Sequence, residues 1–173
     1  MLVFAAALLP TAASAEPPPQ EPNIHTLLDA AVNANLDPLR QALASASGRK
    51  EIVRNVDGVT VVHVLLGGLH TAVAGEISRL VGWSDNRRTL YRHDFIEGIS
   101  TQIKPLLIDI LKLSPELARA TDARGRTPLH VAATEVLSGL AEPLLEAGAR
   151  ADATDHAGET PVHNAAVAGD VGG

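Results

Sequence analysis

The sequence contains no cysteine, which excludes disulfide bonds, thiol catalysis and cysteine-based zinc sites. It is also poor in aromatic residues, with one tryptophan, one tyrosine and two phenylalanines among 173 residues. Since alanine and leucine must then build the core, thin layers of helices are favoured over a sheet. The net charge of −6 argues against nucleic acid as the main partner, because nucleic-acid binding depends on basic side chains at the phosphates.

Sequence signatures of catalysis are also missing. There is no Gly-x-Ser-x-Gly nucleophile motif and no phosphate-cradling glycine loop. The carboxylates are scattered along the chain, and the seven histidines show no His-x-x-x-His spacing of a zinc site. We therefore predict that the protein is not an enzyme and holds neither a metal ion nor a cofactor.

One sequence pattern occurs twice. Residues 122–130 read Asp-Ala-Arg-Gly-Arg-Thr-Pro-Leu-His, and residues 155–163 read Asp-His-Ala-Gly-Glu-Thr-Pro-Val-His, at an offset of 33 residues throughout. Self-similarity at a fixed period of this size predicts stacked supersecondary units. The pattern must therefore be interpreted as a repeat before any of its residues is treated as a site.

Each residue of the pattern has a local physical role. The aspartate and the glycine suit a tight turn in which the glycine has a positive φ. Thr127 and Thr160 are predicted helix N-caps, and each precedes a proline at the first helical position. His130 and His163 follow three residues after the threonine, where a side chain can return a hydrogen bond to the cap residue. We predict that these histidines are structural.

Two short helices and a turn in 33 residues, opening with Thr-Pro-Leu-His, closely resemble the ankyrin repeat. Residues 144–149, Leu-Leu-Glu-Ala-Gly-Ala, resemble the end of that family's second helix. The resemblance implies an all-α, ankyrin-like solenoid over residues 23–173. It would contain about four stacked helix-turn-helix repeats, two clear and two degenerate.

The resemblance also implies a mode of binding. Ankyrin-like repeats would recognise another protein through the turn tips and the concave surface of the first helices. In the two clear repeats the variable tip positions are Arg124, Arg126, Ala157 and Glu159. We predict Arg124, Arg126 and Glu159 as partner-binding residues.

The upstream units match the pattern less well. Residues 55–63, Asn-Val-Asp-Gly-Val-Thr-Val-Val-His, keep the turn, the threonine and the histidine, with valines in place of the proline and the leucine. One further unit must fit before residue 122, but residues 83–98 contain no Gly-x-Thr-Pro-Leu-His. We interpret this unit as an atypical repeat with a remodelled loop, followed by a second helix over residues 103–113.

The same irregular segment is a candidate binding surface. Apart from Phe4, every aromatic residue of the chain lies within residues 83–95, together with three arginines. Tryptophan, tyrosine and arginine are enriched at interface hot spots. The alternative is that Trp83 and Phe95 fill the core while the arginines are merely solvated. The predicted partner-binding residues of this segment are Trp83, Arg87, Arg88, Tyr91 and Arg92.

The N-terminus has features of an export signal. An apolar run over residues 2–9 is too short to span a membrane, and Ala13-Ser14-Ala15 has the A-x-A form of a cleavage site. No lysine or arginine precedes the run, so a basic n-region is missing. We predict a signal peptide over residues 1–15, a stiff proline-rich linker over 16–22, and a periplasmic or secreted protein; an apolar tail on a cytoplasmic protein is the alternative.

These observations favour a non-catalytic protein-protein interaction module without stable membrane insertion after signal cleavage. Two alternatives stay open. One is an enzyme fragment in which residues 82–100 supply a catalytic group, such as His93 beside Asp94. The other is a truncated piece of a longer ankyrin scaffold, because the last unit shows no second helix before Gly173.

Overall fold

The computed structural model describes residues 23–33, 35–68, 85–134 and 137–168, and only the backbone of residues 85–96, 99 and 138. Within these ranges the fold is all-α, and the only β-type pairing is an isolated bridge between Val56 and Val59. No helix in the described ranges is long and apolar enough to cross a membrane. The predicted signal peptide, the proline-rich linker and Trp83 lie outside the described residues.

Within the described ranges the structure consists of one long helix and several short ones. In chain order they are α1 (Ile24–Val32), α2 (Asp37–Ala44), α3 (Ala46–Ile52), α4 (61–68), α5 (Asp85–Leu113), a 3-10 helix (Pro115–Arg119), α6 (Pro128–Thr134), α7 (Ser138–Glu146) and α8 (Pro161–Ala168). Helices α6 and α8 begin at the prolines of the repeated pattern, as the sequence predicts.

The core is built from aliphatic side chains of successive helices. Buried leucines, isoleucines, valines and alanines from α1 to α7 form a single cluster, and no aromatic side chain belongs to it among the described residues. Helix α5 packs against α7, and α6 packs against both α7 and α8. Each buried leucine or isoleucine contributes roughly 1.5–3 kcal/mol through removal of apolar surface from water. This agrees with the aromatic-poor composition.

Helix α5 corrects the interpretation of the irregular segment. The sequence predicts a remodelled loop before residue 103, but residues 85–113 form one continuous helix of 29 residues. Among the described side chains of α5, Ile103, Leu107 and Ile110 are buried, at the spacing of a helical face against the core. No proline or glycine occurs from residue 85 to residue 97, so nothing in the local sequence ends the helix there.

Candidate functional site: a groove between two turns

Two equivalent turns carry the repeated pattern: turn A, residues 122–126, and turn B, residues 155–159. Each is closed by a hydrogen bond of 2.9 Å from the backbone N–H of its aspartate to the carbonyl of the residue four positions later. The carboxylate of Asp122 also accepts two backbone N–H bonds inside turn A, and Asp155 does the same inside turn B. Gly125 and Gly158 have φ values of 77° and 79°, which confirms the predicted need for glycine.

The hydrogen bonds within the turns keep both carboxylates ionised. Partial burial by itself raises the pKa of Asp122, but bonds from the backbone of Arg126 and Arg124 and from the Arg126 guanidinium together hold that pKa below its ordinary value. The pKa of Asp155 is lowered chiefly by the backbone N–H of Glu159. Both turns therefore stay organised at neutral pH.

A histidine follows each turn and bonds to the threonine three residues before it. The Nδ1 atom of His130 accepts from the backbone N–H of Thr127 at 3.1 Å and lies 2.8 Å from its hydroxyl. His163 and Thr160 repeat both contacts at the same distances. The predicted bond from the histidine back to the cap residue is thus confirmed, and the ring fixes the start of the helix.

The other ring nitrogen of each histidine bonds to a turn later in the chain. Nε2 of His63 lies 3.0 Å from the carbonyl oxygen of Arg126 in turn A, and Nε2 of His130 lies 3.1 Å from the carbonyl of Glu159 in turn B. A carbonyl can only accept, so Nε2 carries a proton in both rings. Nδ1 of His130 accepts from a backbone N–H and is therefore unprotonated, and burial disfavours the charged form of His63, so we assign both rings as neutral Nε2–H tautomers. Each histidine therefore holds its own helix start and the following turn in register.

The burial of His63 makes stability depend on pH. Desolvation lowers the pKa of His63 below its ordinary value of about 6.5, with Asp122 and Arg126 as the nearby charged groups. As the pH falls, His63 takes up a proton in the unfolded chain at a higher pH than in the folded one. The contribution of neutral His63 to the free energy of unfolding is therefore fully present above about pH 6.5 and is lost as the pH falls below it. Asp122 and Asp155 have lowered pKa values and titrate only in more acidic solution.

We expect the free energy of unfolding to fall between pH 7 and pH 5.5 by more in the parent protein than in His63→Gln. The excess cannot exceed about 1.4 kcal/mol per pH unit, the limit for one proton. Urea unfolding at both pH values measures it. Parallel losses in the two proteins would show that His63 does not titrate in this range.

Between the two turns lies an open groove of about 780 Å³. Its rim is formed by the two turns, and its floor by the C-terminal ends of α6 and α8. Asn164 on α8 donates to the Thr134 hydroxyl at 3.2 Å and so joins the two helices across the floor. The lining residues are Ala123, Arg124, Arg126, Thr134, Asp155, His156, Ala157, Glu159, Asn164, Val167 and Ala168.

The structure brings three of the predicted site residues to this groove. Arg124 and Glu159 are exposed on its rim, and neither side chain has a hydrogen bond or ion pair in the described part of the chain. The Arg126 guanidinium instead bonds the carboxylate of Asp122 at 2.9 Å and is half-buried. Arg124 and Glu159 therefore provide free charges, whereas Arg126 mainly braces turn A.

The other predicted residues are not brought to the groove. Arg87, Arg88, Tyr91 and Arg92 lie on the N-terminal part of α5, where the backbone alone is described, and Trp83 lies outside the described residues. His156 was not predicted as a site residue; its backbone N–H donates to the Arg124 carbonyl at 3.0 Å and so joins turn B to turn A. Its place in turn B, directly after Asp155, was the sequence feature that could have identified it.

No group of three or more histidine, aspartate or glutamate side chains that could hold a metal ion occurs in the described ranges. The groove instead has an unpaired cation, Arg124, an unpaired anion, Glu159, and small apolar side chains, and backbone hydrogen bonds order the two turns that carry the charges. Among known proteins, no family model matches the chain, and no curated protein matches it either.

Proposed function

We propose that this protein is an ankyrin-like repeat module that binds another protein through the groove between turns A and B and catalyses no reaction. The observation that carries the proposal is the pair of equivalent, internally bonded turns that hold charged side chains over an open groove. Such turns lose little conformational freedom on binding, because their backbone is already ordered.

Three features support the ankyrin-like interpretation. The pattern recurs at 33 residues, both copies start a helix at the Thr-Pro pair, and the histidine of one unit bonds the turn of the next. A repeat that contacts mainly its neighbours builds an extended surface from equivalent positions. The groove occupies such a surface.

The groove suits a segment of polypeptide. Exposed Val167 and Ala168 offer apolar contact on the floor, while Arg124 and Glu159 lie on the rim with opposite charges. A partner with an acidic side chain facing Arg124 and a basic one facing Glu159 would satisfy both. The Ala13-Ser14-Ala15 site supports an exported form of this module.

Charge reversal tests the groove. We expect Arg124→Glu to weaken binding of the natural partner at least tenfold, about 1.4 kcal/mol, because it places a second anion near Glu159 and removes the only unpaired cation in the described lining. Lys50→Glu on α3 is the matched control, since it makes the same charge change on an exposed side chain outside the groove. Partners captured by the parent chain are quantified by cross-linking and then titrated against each variant. If both variants weaken binding equally, or if neither weakens it, the binding site is not at the groove.

The N-terminal part of α5 is a second proposed contact surface. Arg87→Ala combined with Arg88→Ala should lower affinity for the same partner by about 1–2 kcal/mol, with little change in melting temperature. Titration and thermal unfolding of the double variant measure both quantities. Unchanged affinity, or a large drop in melting temperature, would remove α5 from the binding surface.

A further inference from the structure

The turn before α4, turn C (residues 55–59), contains a reactive dipeptide. Asp57-Gly58 is the only Asp-Gly pair of the sequence, and the sequence has no Asn-Gly pair. Glycine has no side chain to shield its backbone nitrogen, so that nitrogen can reach the carboxyl carbon of a preceding aspartate. Asp57 is exposed, and its φ of 52° is the only positive φ of a non-glycine residue in the described ranges. Turn C therefore combines the residue pair and the solvent access that aspartate isomerisation requires.

This reaction needs water and no other reactant. The backbone nitrogen of Gly58 forms a bond to Cγ of Asp57, and the amide proton leaves with the carboxyl OH as water, which closes a succinimide ring. A water molecule then opens the ring. If the bond to Cγ breaks, aspartate is restored; if the bond to the backbone carbonyl carbon breaks, the chain continues through Cβ and Cγ as isoaspartate. No atom is gained or lost overall, but the backbone becomes longer by one methylene.

The carboxyl of Asp57 is free to react. It has no hydrogen bond or ion pair among the described residues. The carboxylates of Asp122 and Asp155 differ, because each accepts two backbone N–H bonds that hold it inside its own turn. Neither of these two residues is followed by glycine. Asp57 is therefore the aspartate of the three turns that is most prone to isomerise.

The nitrogen of Gly58, in contrast, is held in place. Its N–H donates to Oδ1 of Asn55 at 2.7 Å, and Val56 and Val59 close the turn with two backbone bonds of 2.9 Å. Attack on Cγ requires this N–H to lose its proton and its peptide plane to turn toward the carboxyl. Both changes break the bond to Asn55, so the reaction starts from an opened turn, whose population that bond lowers.

We propose that Asp57 is a modification site at which isoaspartate forms when turn C opens, and that Asn55 restrains the reaction. Asn55 acts through the Gly58 nitrogen and takes no part in the bonds that form and break. The occurrence of isoaspartate at Asp57 would then record how often turn C has opened during the lifetime of the protein.

Isoaspartate would not fit the native packing of turn C. A Cβ atom built on Gly58 would lie 3.0 Å from the carbonyl oxygen of Thr121 and 3.3 Å from the backbone nitrogen of Ala123. Turn C therefore lies directly against the chain that enters turn A. A backbone lengthened at Asp57 has no space there, so isomerisation should separate turn C from turn A.

Two substitutions at position 55 test the restraint. Asn55→Ala removes the acceptor and should speed isoaspartate formation at Asp57 roughly two- to tenfold, the effect of one net hydrogen bond on the population of the opened turn. Asn55→Asp keeps a side-chain acceptor and should retain the parental rate. The folded chains are incubated at neutral pH, and isoaspartate is quantified by fragmentation mass spectrometry, with Asp155 as the internal control that stays unmodified. Equal rates in Asn55→Ala and the parent, or equal acceleration in both variants, would overturn the role of Asn55.

The parent chain tests the site even if Asn55→Ala does not fold. Isomerisation at Asp57 should be at least about tenfold slower in the folded chain than in urea, because turn C is open in only a small fraction of folded molecules. Equal rates in the two states would overturn the requirement for opening. Absence of isoaspartate from both would show that Asp57 is not a modification site.

The isoaspartate form, separated by chromatography, tests the effect on packing. Hydrogen exchange at Nε2 of His63, which lies 3.0 Å from the Arg126 carbonyl in turn A, should become at least about tenfold faster. His130, which bonds to turn B, should keep its parental rate and is the control. Unchanged exchange at His63 would overturn the separation of turn C from turn A. None of these measurements involves the groove, so a failed binding test there leaves their outcome unaffected.

Discussion

Gly125→Ala should destabilise the fold by about 2–5 kcal/mol, the sum of a left-handed backbone penalty and overpacking. Gly125 has a φ of 77°, and a Cβ atom there would lie 2.6 Å from Cδ2 and 3.0 Å from the backbone nitrogen of His156. Relief of that contact would move His156 and stretch its 3.0 Å bond to the carbonyl of Arg124. Turn A and turn B would then separate.

Gly158→Ala is the matched control for this prediction. Gly158 has nearly the same φ, 79°, but a Cβ atom there would meet nothing within 4 Å. It should therefore cost only the backbone term, about 1–2 kcal/mol. Urea unfolding of the two variants measures the difference. Equal costs would show that the close approach of the turns contributes nothing to stability.

His130→Ala should cost about 3–5 kcal/mol, because it opens a cavity and leaves buried hydrogen-bonding groups without partners. The His130 side chain is fully buried. Its removal deprives the Thr127 N–H of an acceptor and the Glu159 carbonyl of a donor at 3.1 Å each. One substitution therefore loosens both the start of α6 and the register of turn B.

His163→Ala shows how much of the destabilisation comes from the bond to the preceding threonine and how much from the bond to the later turn. His163 makes the same contacts with Thr160 but is exposed, and its Nε2 has no acceptor among the described residues. We expect a cost below about 1 kcal/mol, the value of a solvent-exposed cap. If His163→Ala is as damaging as His130→Ala, then the bond between units is not what makes His130 important.

Local features of the fold could be predicted from the sequence. The positive φ at Gly125 and Gly158, the helix starts at Pro128 and Pro161, and the bond from His130 to Thr127 all lie within a few residues of their causes. Turn and capping chemistry is fixed by such short spacings.

Contacts over longer sequence separations could not be predicted in the same way. The Nε2 atom of His63 finds its acceptor in Arg126, 63 positions away, and no local rule specifies that carbonyl. The pairing of Arg126 with Asp122 lies within one turn, but it is not part of the repeated pattern, because turn B has Glu159 at the position equivalent to Arg126. A sequence shows which side chains need a hydrogen-bond partner, whereas the identity of that partner depends on which parts of the chain pack together.

The pattern of the two clear repeats does not predict the structure where the chain departs from that pattern. Residues 83–98 lack the repeated pattern and were expected to belong to a remodelled loop, yet residues 85–98 lie in α5. The turn at residues 56–59 also differs, since Asp57 and Gly58 both have positive φ, at 52° and 84°. An Asp-Gly pair with two positive φ values is typical of a two-residue hairpin turn, so that signal was present in the local sequence.

The central claim is that neutral histidines bond through Nε2 to turns later in the chain, and imidazole ¹⁵N NMR at neutral pH tests it directly. The account predicts that His63 and His130 are Nε2–H tautomers whose Nε2 hydrogens exchange slowly with water. His163 should be the same tautomer with fast exchange. Protonation on Nδ1, or rapid exchange at Nε2, in both His63 and His130 would contradict the stacking arrangement on which the proposed function depends.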